Sequence, residues 1–286
     1  MKKIQRLACG LTVTILFSLP MAAQAEEWIQ PGTETWLISG GVFLPEFDTK
    51  LRVNNSNTDG GIGVDLEDQL KLDKRDETGY ADLKWRFFKK HRLGVGWFHF
   101  GRDTGATAQG DIEIGDGNVI QAGATLYTSL DMDVFPISYA YSFINNEKHE
   151  LSGLLGIHWT DIEFLVDASA WVDNGGTGPS GQGRISAKAA APLPLIGVHY
   201  RYSFSPKWSG ALGAAFFKLD LDDDLSSFSG SLYSVRADTE YWFWNNVGFG
   251  AAITAFEIDV DVSDDDWHGN LEYKYWGPQL YVRARF

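Results

Sequence analysis

The feature that most constrains the fold of this chain is the alternation of apolar and polar side chains with a period of two. In the last eight residues, "QLYVRARF", the even-numbered positions from Leu280 to Phe286 are apolar, and the odd-numbered ones carry Tyr281, Arg283 and Arg285. A period of two indicates a β-strand. Because terminal residues of a domain usually fray, a pattern that continues to the last residue predicts that this strand is paired.

The same alternation recurs in ten segments along the chain. They span roughly 34–45, 77–89, 92–104, 119–143, 149–168, 183–203, 207–221, 228–244, 247–261 and 269–286. No helical period of 3.6 residues competes with it over a long window, so the sequence predicts an all-β fold.

The connections between these segments alternate in length. Short ones ("KKHR", "NNEKH", "SPK", "NN") take turns with long ones at 54–77, at 173–183 and after Asp220 and Asp261. Short turns at one end and long loops at the other are typical of a closed, antiparallel, up-and-down transmembrane β-barrel, and a β-sandwich lacks this parity. We therefore predict a barrel of ten strands, with eight or twelve as alternatives.

The N-terminal 25 residues have the pattern of a cleaved secretory signal peptide. Three basic residues precede an apolar stretch, and Ala23-Gln24-Ala25 fits a cleavage site. The single cysteine, Cys9, lies in this segment, so we expect no disulfide in the exported protein. Residues 26–286 are then one barrel domain, without an apolar run of about 18 residues that would form a membrane-spanning helix.

The charge of the chain excludes several classes of function. The formal net charge is −14, and it becomes −17 when the three basic residues of 1–25 are removed. Such acidity argues against a nucleic-acid partner. Because phosphate-loop, zinc and nucleophile-elbow motifs are missing from the sequence, we predict no cofactor, no metal and no catalytic residue.

The strand phases predict which side chains face the lumen. A charged side chain facing lipid costs about 2–4 kcal/mol for Arg or Lys, so the charged rows should point inward. The predicted lumen-lining residues are Asp82, Lys84, Arg86, Arg102, Asp131, Asp133, His158, His199, Arg201, Arg236, Asp238, Glu240, Arg283 and Arg285. Both signs occur in similar number, which favours a charge-paired, largely plugged lumen over an open pore.

One strand changes phase in the sequence. Its apolar positions are even-numbered before Pro136, as at Leu130 and Val134, and odd-numbered after it, as at Ile137 and Tyr139. An inserted β-bulge would produce this change, and proline is tolerated at bulges. With that bulge, the apolar set would face lipid throughout the strand.

Two acidic stretches, 219–224 and 257–268, are expected at the tops of neighbouring hairpins. Clustered carboxylates suit divalent cations. The spacing of an EF-hand is missing, and a solvated acidic rim explains the same residues.

The motifs "IGVDLEDQLKLD", "HRLGVGWFHFGRDTG", "APLPLIGVHYRYSF" and "WGPQLYVRARF" are similar to a family of small Gram-negative outer-membrane barrels without an established activity. The resemblance implies residence in the outer membrane, as a monomer, in contact with its lipid and lipopolysaccharide. It also implies that the barrel-assembly machinery reads the C-terminal strand through Phe286. Tyr281 stands where that signal usually has glycine, and the nearest glycine is Gly277.

Two barrel enzyme families offer an alternative. Omptin proteases resemble this chain in strand number and in an Asp-x-His, matched by Asp266-Trp267-His268. This motif lies in the last hairpin and not on a middle strand, however, and no second Asp-x-Asp fits the family pattern. Lipid A deacylases use an outward His and Ser, whereas His158 and His199 have lumenal phase. We therefore predict a non-enzymatic envelope protein with acidic extracellular loops. The alternative is a small porin-like channel for ions or small solutes. Its selectivity would be set by Arg86, Arg201, Arg236, Asp131 and Asp133.

Overall fold

The computed structural model describes residues 28–55, 62–113, 119–172, 181–222, 226–264 and 267–286. The proposed signal peptide lies outside the described residues. Over the described part of the chain, no helix has the length and apolar character needed to cross a membrane.

Fourteen strand segments form one sheet. They are β1 (Trp36–Phe43), β2 (Glu46–Asn55), β3 (Ile62–Asp65), β4 (Thr78–Phe88), β5 (His91–Thr107), β6 (Ile112–Glu113), β7 (Val119–Ile120), β8 (Thr125–Asn145), β9 (His149–Val172), β10 (Gly181–Ser205), β11 (Trp208–Asp222), β12 (Ser226–Trp242), β13 (Val247–Asp264) and β14 (Trp267–Arg285).

The sheet closes on itself as a barrel of ten antiparallel strands. The order is β1-β4-β5-β8-β9-β10-β11-β12-β13-β14, and β14 pairs back with β1 from Leu37↔Arg285 to Phe43↔Gln279. The predicted fold class and strand number are therefore confirmed. Closure continues to the last residue, because the amide of Phe286 donates to the carbonyl of Trp36 at 3.0 Å.

The closing strand β14 is longer than β1 and continues its pairing with β2, from Glu46↔Trp276 to Asn55↔Trp267. The two partners are separated by Leu44 and Pro45, opposite Gly277 and Pro278. Both prolines lack an amide donor, so the ladder is interrupted there, although the amide of Leu44 still donates to the carbonyl of Pro278 at 3.0 Å.

The connection predicted as one long loop at 54–77 contains more structure than the sequence indicated. Strand β2 forms a hairpin with β3, from Lys50↔Asp65 to Val53↔Ile62. Residues 66–72 then leave the wall, and 74–76 return to it beside Pro45 and Phe47. We call residues 66–72 the plug segment, because Leu66, Leu70 and Leu72 are buried inside the barrel.

The short turns 89–90, 146–148, 206–207 and 243–246 lie together with Phe286 at one end of the barrel, which we call the turn end. The opposite end, with the long connections, is the loop end. The loop-end half of the lumen is an apolar core. It contains Phe43, Phe47, Leu66, Leu70, Leu72, Phe100, Leu126, Leu130, Met132, Val134, Val166, Leu232, Phe256, Ile258, Tyr273 and Tyr275. The turn-end half is charged.

The division of the lumen into an apolar half and a charged half corrects two predictions about β8. The register runs without a break through Val134↔Thr160, Pro136↔His158 and Ile137↔Ile157, so the expected bulge at Pro136 is wrong. The apolar even-numbered residues of the first half face the apolar core, whereas the odd-numbered ones after Pro136 face outward. The phase changes because the apolar side of the wall changes from inside to outside.

The same reason makes the lumenal placement of Asp131 and Asp133 wrong. Their neighbour Met132 is buried in the core, so both carboxylates face outward. Asp133 accepts hydrogen bonds at 3.2 Å from the indole of Trp97 and from His99. Directly across the ladder, Asp133 faces Asp161.

Candidate functional site

The candidate functional site is the charged turn-end half of the lumen, together with the plug segment above it. The structure places twelve of the fourteen predicted lumen residues on the inner face. They are Asp82, Lys84, Arg86, Arg102, His158, His199, Arg201, Arg236, Asp238, Glu240, Arg283 and Arg285. Most of them have outward apolar neighbours along the strand, as Leu83 and Trp85 flank Lys84.

Glu150, at the start of β9, is the centre of the first charge cluster and is 0% exposed. Arg86 donates to it at 2.7 Å, Arg201 at 3.0 Å and Arg92 at 3.5 Å. The hydroxyl of Ser142 adds a bond at 2.9 Å. Arg86 and Arg92 thereby tie β4 and β5 to β9, which neither strand borders, and Arg201 contacts Glu150 directly across the β9–β10 ladder.

Arg283 of β14 is the centre of a second cluster. Its guanidinium donates to Glu240, to Ser39 at 2.6 Å and to Asp82 at 3.5 Å. The hydroxyl of Tyr281 also donates to Glu240, at 3.0 Å. This cluster joins β1, β4, β12 and β14, so it lies across the seam where the barrel closes.

Arg236 of β12 extends the second cluster. It donates to Asp238 at 3.4 Å and to Gln279, and its guanidinium lies 5.7 Å from the ring centroid of Tyr281. Arg236 thus has a carboxylate and an amide oxygen as acceptors, beside the acceptors of Arg283. Buried charges need such partners, because an unpaired charge in a low-dielectric interior is costly.

Residues 28–35 cover the turn end. The amide of Ile29 donates to Asn245 at 2.7 Å, and Asn145 donates to the carbonyl of Gly32 at 3.0 Å. Glu34 turns inward, 3.7 Å from Arg86. The N-terminal segment of the barrel thus contacts two of the short turns and adds a carboxylate to the lumen.

The plug segment is held by a buried ion pair. Arg102 donates to Glu67 at 2.6 Å and to the hydroxyl of Thr49 at 3.1 Å, while the amide of Thr49 donates to Glu67 at 2.8 Å. The guanidinium also stacks 4.1 Å from the ring of Phe47. The described side chains thus form an apolar layer in the loop-end half of the lumen and an ionic layer in the turn-end half.

The exposed side of residues 68–74 is charged. Lys74 lies 2.9 Å from Asp68, and both side chains are exposed. The hydrogen bond and charge of Lys74 lower the pKa of the Asp68 carboxyl, and Asp68 in turn raises the pKa of Lys74. This pair is at the surface, so it contributes little to stability.

The two lumenal histidines differ in their surroundings. The ring of His158 stacks on Phe256 with 4.8 Å between centroids and contacts the hydroxyl of Thr160 at 3.2 Å. His199 lines a small cavity together with Lys84 and Arg201. Neither faces outward with a serine, as the deacylase arrangement would require.

The outer face carries an apolar band. Its exposed aliphatic residues include Ile38, Leu83, Val95, Ile137, Leu155, Ile157, Ile196, Val198, Leu212, Val235, Ile253, Leu280 and Val282. Aromatic residues flank the band on the loop side (Trp97, Phe135, Trp159, Tyr233, Trp276) and on the turn side (Trp36, Trp85, Phe143, Trp208, Phe243). Charged residues begin beyond the loop-side aromatics, where Asp131, Asp161 and Glu163 face outward.

Sequence reasoning missed four charged residues that organise the lumen, and one of them, Glu34, lies at the start of the first predicted strand. Glu150 and Arg92 adjoin the short turns, which were interpreted as connections, and Glu67 lies in the predicted long loop. A detectable signal existed for Glu150, because it shares the even phase of His158 along the same strand.

The acidic stretches are only partly described. Asp266 lies outside the described residues, as do the side chains of Asp264, Asp265 and His268. Within the described part, no three His, Cys, Asp or Glu side chains are arranged to hold a metal ion.

Comparisons with known proteins place the fold. No family model matches the chain, and no curated protein matches it. Among solved structures, the outer membrane protease OmpT from Escherichia coli superposes with a TM-score of 0.55 at 12% identity, over 92% of this chain and 100% of that one. The outer membrane protein OprG from Pseudomonas aeruginosa gives a TM-score of 0.39 at 9% identity, over 88% and 96%.

Ail, the attachment invasion locus protein of Yersinia pestis, gives a TM-score of 0.30 at 12% identity, over 88% of this chain and 99% of that chain. At these identities the likeness concerns the fold alone. The chain has the fold of the Gram-negative outer-membrane β-barrels.

Proposed function

We propose that this chain is a non-enzymatic envelope protein of the outer membrane of a Gram-negative bacterium, with a closed lumen. The filled lumen is the observation that supports this most strongly. The Glu150 and Arg283 clusters join strands across the turn-end half, and the plug segment packs its leucines into the loop-end half.

The outer face supports membrane residence. A band of exposed aliphatic residues between two aromatic girdles suits a bilayer core and its two interfaces. In water, an apolar surface of this extent would drive aggregation. Outer-membrane lipid and lipopolysaccharide are therefore the proposed surroundings, and the chain functions as a monomer.

The closing strand supports assembly as an integral barrel. The amides of Thr35 and Trp36 both donate to the carbonyl of Phe286, at 2.6 and 3.0 Å. The last residue is therefore needed to seal β14 against β1. Recognition of the strand by the barrel-assembly machinery through Phe286 is part of this proposal.

A passage for solutes would need both layers of the lumen to move. The ionic layer lines a cavity of about 40 Å³, which has room for roughly three water molecules. A porin-like channel, the alternative function, therefore requires breaking several buried ion pairs as well as displacing the plug segment.

Solute uptake by proteoliposomes tests this proposal. The mature chain is refolded into liposomes, its folding is checked by heat-modifiable migration on gels, and osmotic swelling is measured with sugars and amino acids. We expect swelling no faster than in empty liposomes. Swelling at the rate of a general porin in the same preparation would show a channel, and fractionation of cells with the tagged chain tests the membrane assignment separately.

A further inference from the structure

Most lysines at the loop end have a carboxylate partner, whereas the lysines of the short turns have none among the described residues. Five at the loop end lie 2.8–3.5 Å from a carboxylate: Lys50, Lys74, Lys188, Lys218 and Lys274. The short turns carry four exposed lysines, Lys89, Lys90, Lys148 and Lys207, and none of these forms an ion pair within 4.0 Å with a described carboxylate. We call these four residues the lysine rim.

The turn end therefore has a positive outer surface. Its negative groups among the described residues are Glu147, which is exposed, and the C-terminal carboxylate of Phe286. Glu34 and Glu150 also lie at this end, but both are buried. A formal excess of two positive charges remains at the turn end of a chain whose net charge is −14.

The lysine rim lies at the level of the turn-side aromatic residues. Nζ of Lys90 is 5.9 Å from the ring centroid of Tyr141, and Lys207 directly precedes Trp208. The turns of the rim have only two or three residues, so they do not carry the ammonium groups far from the apolar band. Long lysine side chains beside an interfacial aromatic girdle place their charges at the depth of the lipid head groups.

We propose that the lysine rim binds the head groups of anionic phospholipids in the leaflet at the turn end. This inference rests on the proposed residence in the outer membrane. The lysines come from three hairpin turns that follow one another around the barrel, β4–β5, β8–β9 and β10–β11, so they form one side of the rim. A lysine near an anionic lipid surface increases the affinity for that surface about fivefold.

The loop end disfavours the same lipids. Asp131, Asp161 and Glu163 face outward just beyond the loop-side aromatic residues, and like charges repel. The two ends of the barrel therefore distinguish the two leaflets of an asymmetric bilayer. The acidic polymer of the cell wall is a poorer match to the lysine rim, because the short turns keep these side chains beside the apolar band.

Native mass spectrometry of the folded mature chain in detergent tests the proposal by counting bound lipids. Phosphatidylglycerol should bind at least about fivefold more tightly than phosphatidylcholine, and the difference should decrease as salt screens the charges. Insertion into phosphatidylcholine vesicles is measured separately. A chain that fails to insert would contradict the proposed membrane residence, whereas equal binding of both lipids by an inserted barrel would overturn only the lysine rim.

Two variants with the same change in net charge assign the effect to the turn end. The rim variant combines Lys89→Gln, Lys90→Gln, Lys148→Gln and Lys207→Gln, and the control combines Lys50→Gln, Lys74→Gln, Lys188→Gln and Lys218→Gln. The rim variant should lose the preference for phosphatidylglycerol, and the control should retain it.

An equal loss in both variants would overturn the proposal, because net charge alone would then set the preference. Binding of isolated peptidoglycan that only the rim variant loses, together with equal binding of both lipids, would assign the lysines to the cell wall instead. If the rim variant does not fold, the lipid preference of the unaltered chain and its salt dependence decide.

Discussion

Replacement of Glu150 by Gln tests the cross-lumen network most severely. Glu150 is fully buried and neutralises Arg86, Arg92 and Arg201, so the amide leaves three guanidinium groups without their shared carboxylate. Removing one partner of a buried ion pair typically costs about 3–5 kcal/mol. The size and shape of the side chain are nearly unchanged, so a packing defect contributes little to this cost.

The assay is equilibrium unfolding of the refolded barrel in lipid vesicles, followed by tryptophan fluorescence. A loss of about 3–5 kcal/mol corresponds to a decrease of roughly two to four powers of ten in the ratio of folded to unfolded protein. The matched control is Glu147→Gln, at an exposed residue of the neighbouring turn, which should stay within about 0.5 kcal/mol of the unaltered chain.

A loss below about 1 kcal/mol for Glu150→Gln would refute the reasoning. It would mean that water reaches the cluster and replaces the carboxylate, and that the turn-end lumen is solvated. An equal loss in both variants would show that the position in the chain, and not the buried contacts, sets the cost.

Three further changes probe other parts of the barrel. Glu67→Gln should release the plug segment, because Arg102 loses its buried partner, and amide exchange at Leu66 and Leu72 should accelerate by about 100-fold or more in mass-spectrometric hydrogen exchange. Gly277→Ala should lower the unfolding free energy by about 1–3 kcal/mol, since a Cβ there would lie 2.3 Å from the carbonyl oxygen of Leu44. Leu155→Arg should cost about 2–4 kcal/mol in lipid vesicles, because Leu155 lies in the apolar band.

Each change has a control at a comparable position. Arg75→Gln breaks an exposed pair and should leave exchange in the plug segment unaltered. Gly105→Ala meets its nearest atom only at 4.0 Å and should cost less than Gly277→Ala. Asp131→Arg, beyond the loop-side aromatics, should cost far less than Leu155→Arg. An equal cost at Asp131 and Leu155 would place the membrane boundary elsewhere.

The sequence alone predicts the barrel fold and most of the charged residues on its inner face. The turn residues mark where the strands begin and end. In β4, β10, β12 and β14 charged residues alternate with apolar ones, so the cost of a charge in lipid decides which set of side chains points into the lumen. Arg86, Arg201 and Arg283 could be placed in this way because each has a clear alternation around it.

The alternation assigned residues to the wrong face where the usual arrangement, an apolar outer face and a polar inner face, is reversed. In the loop-end half of β8 the inside is apolar and the outside is charged, so Asp131 and Asp133 were assigned to the wrong face. The plug segment supplies the apolar surface that makes this inversion favourable. Its burial depends on Glu67 and Arg102, which are distant in sequence, and a strand pattern contains no information about that contact.

Single-channel recording in a planar bilayer tests the closed lumen most directly. The refolded mature chain is added to one side, and its insertion is verified by heat-modifiable migration of the same preparation. We predict a silent membrane at moderate voltages, because in the proposed function the ionic layer and the plug segment close the lumen. Steady, ion-selective conductance steps from the unaltered chain would contradict this account and identify the lumenal arginines and carboxylates as the lining of a channel.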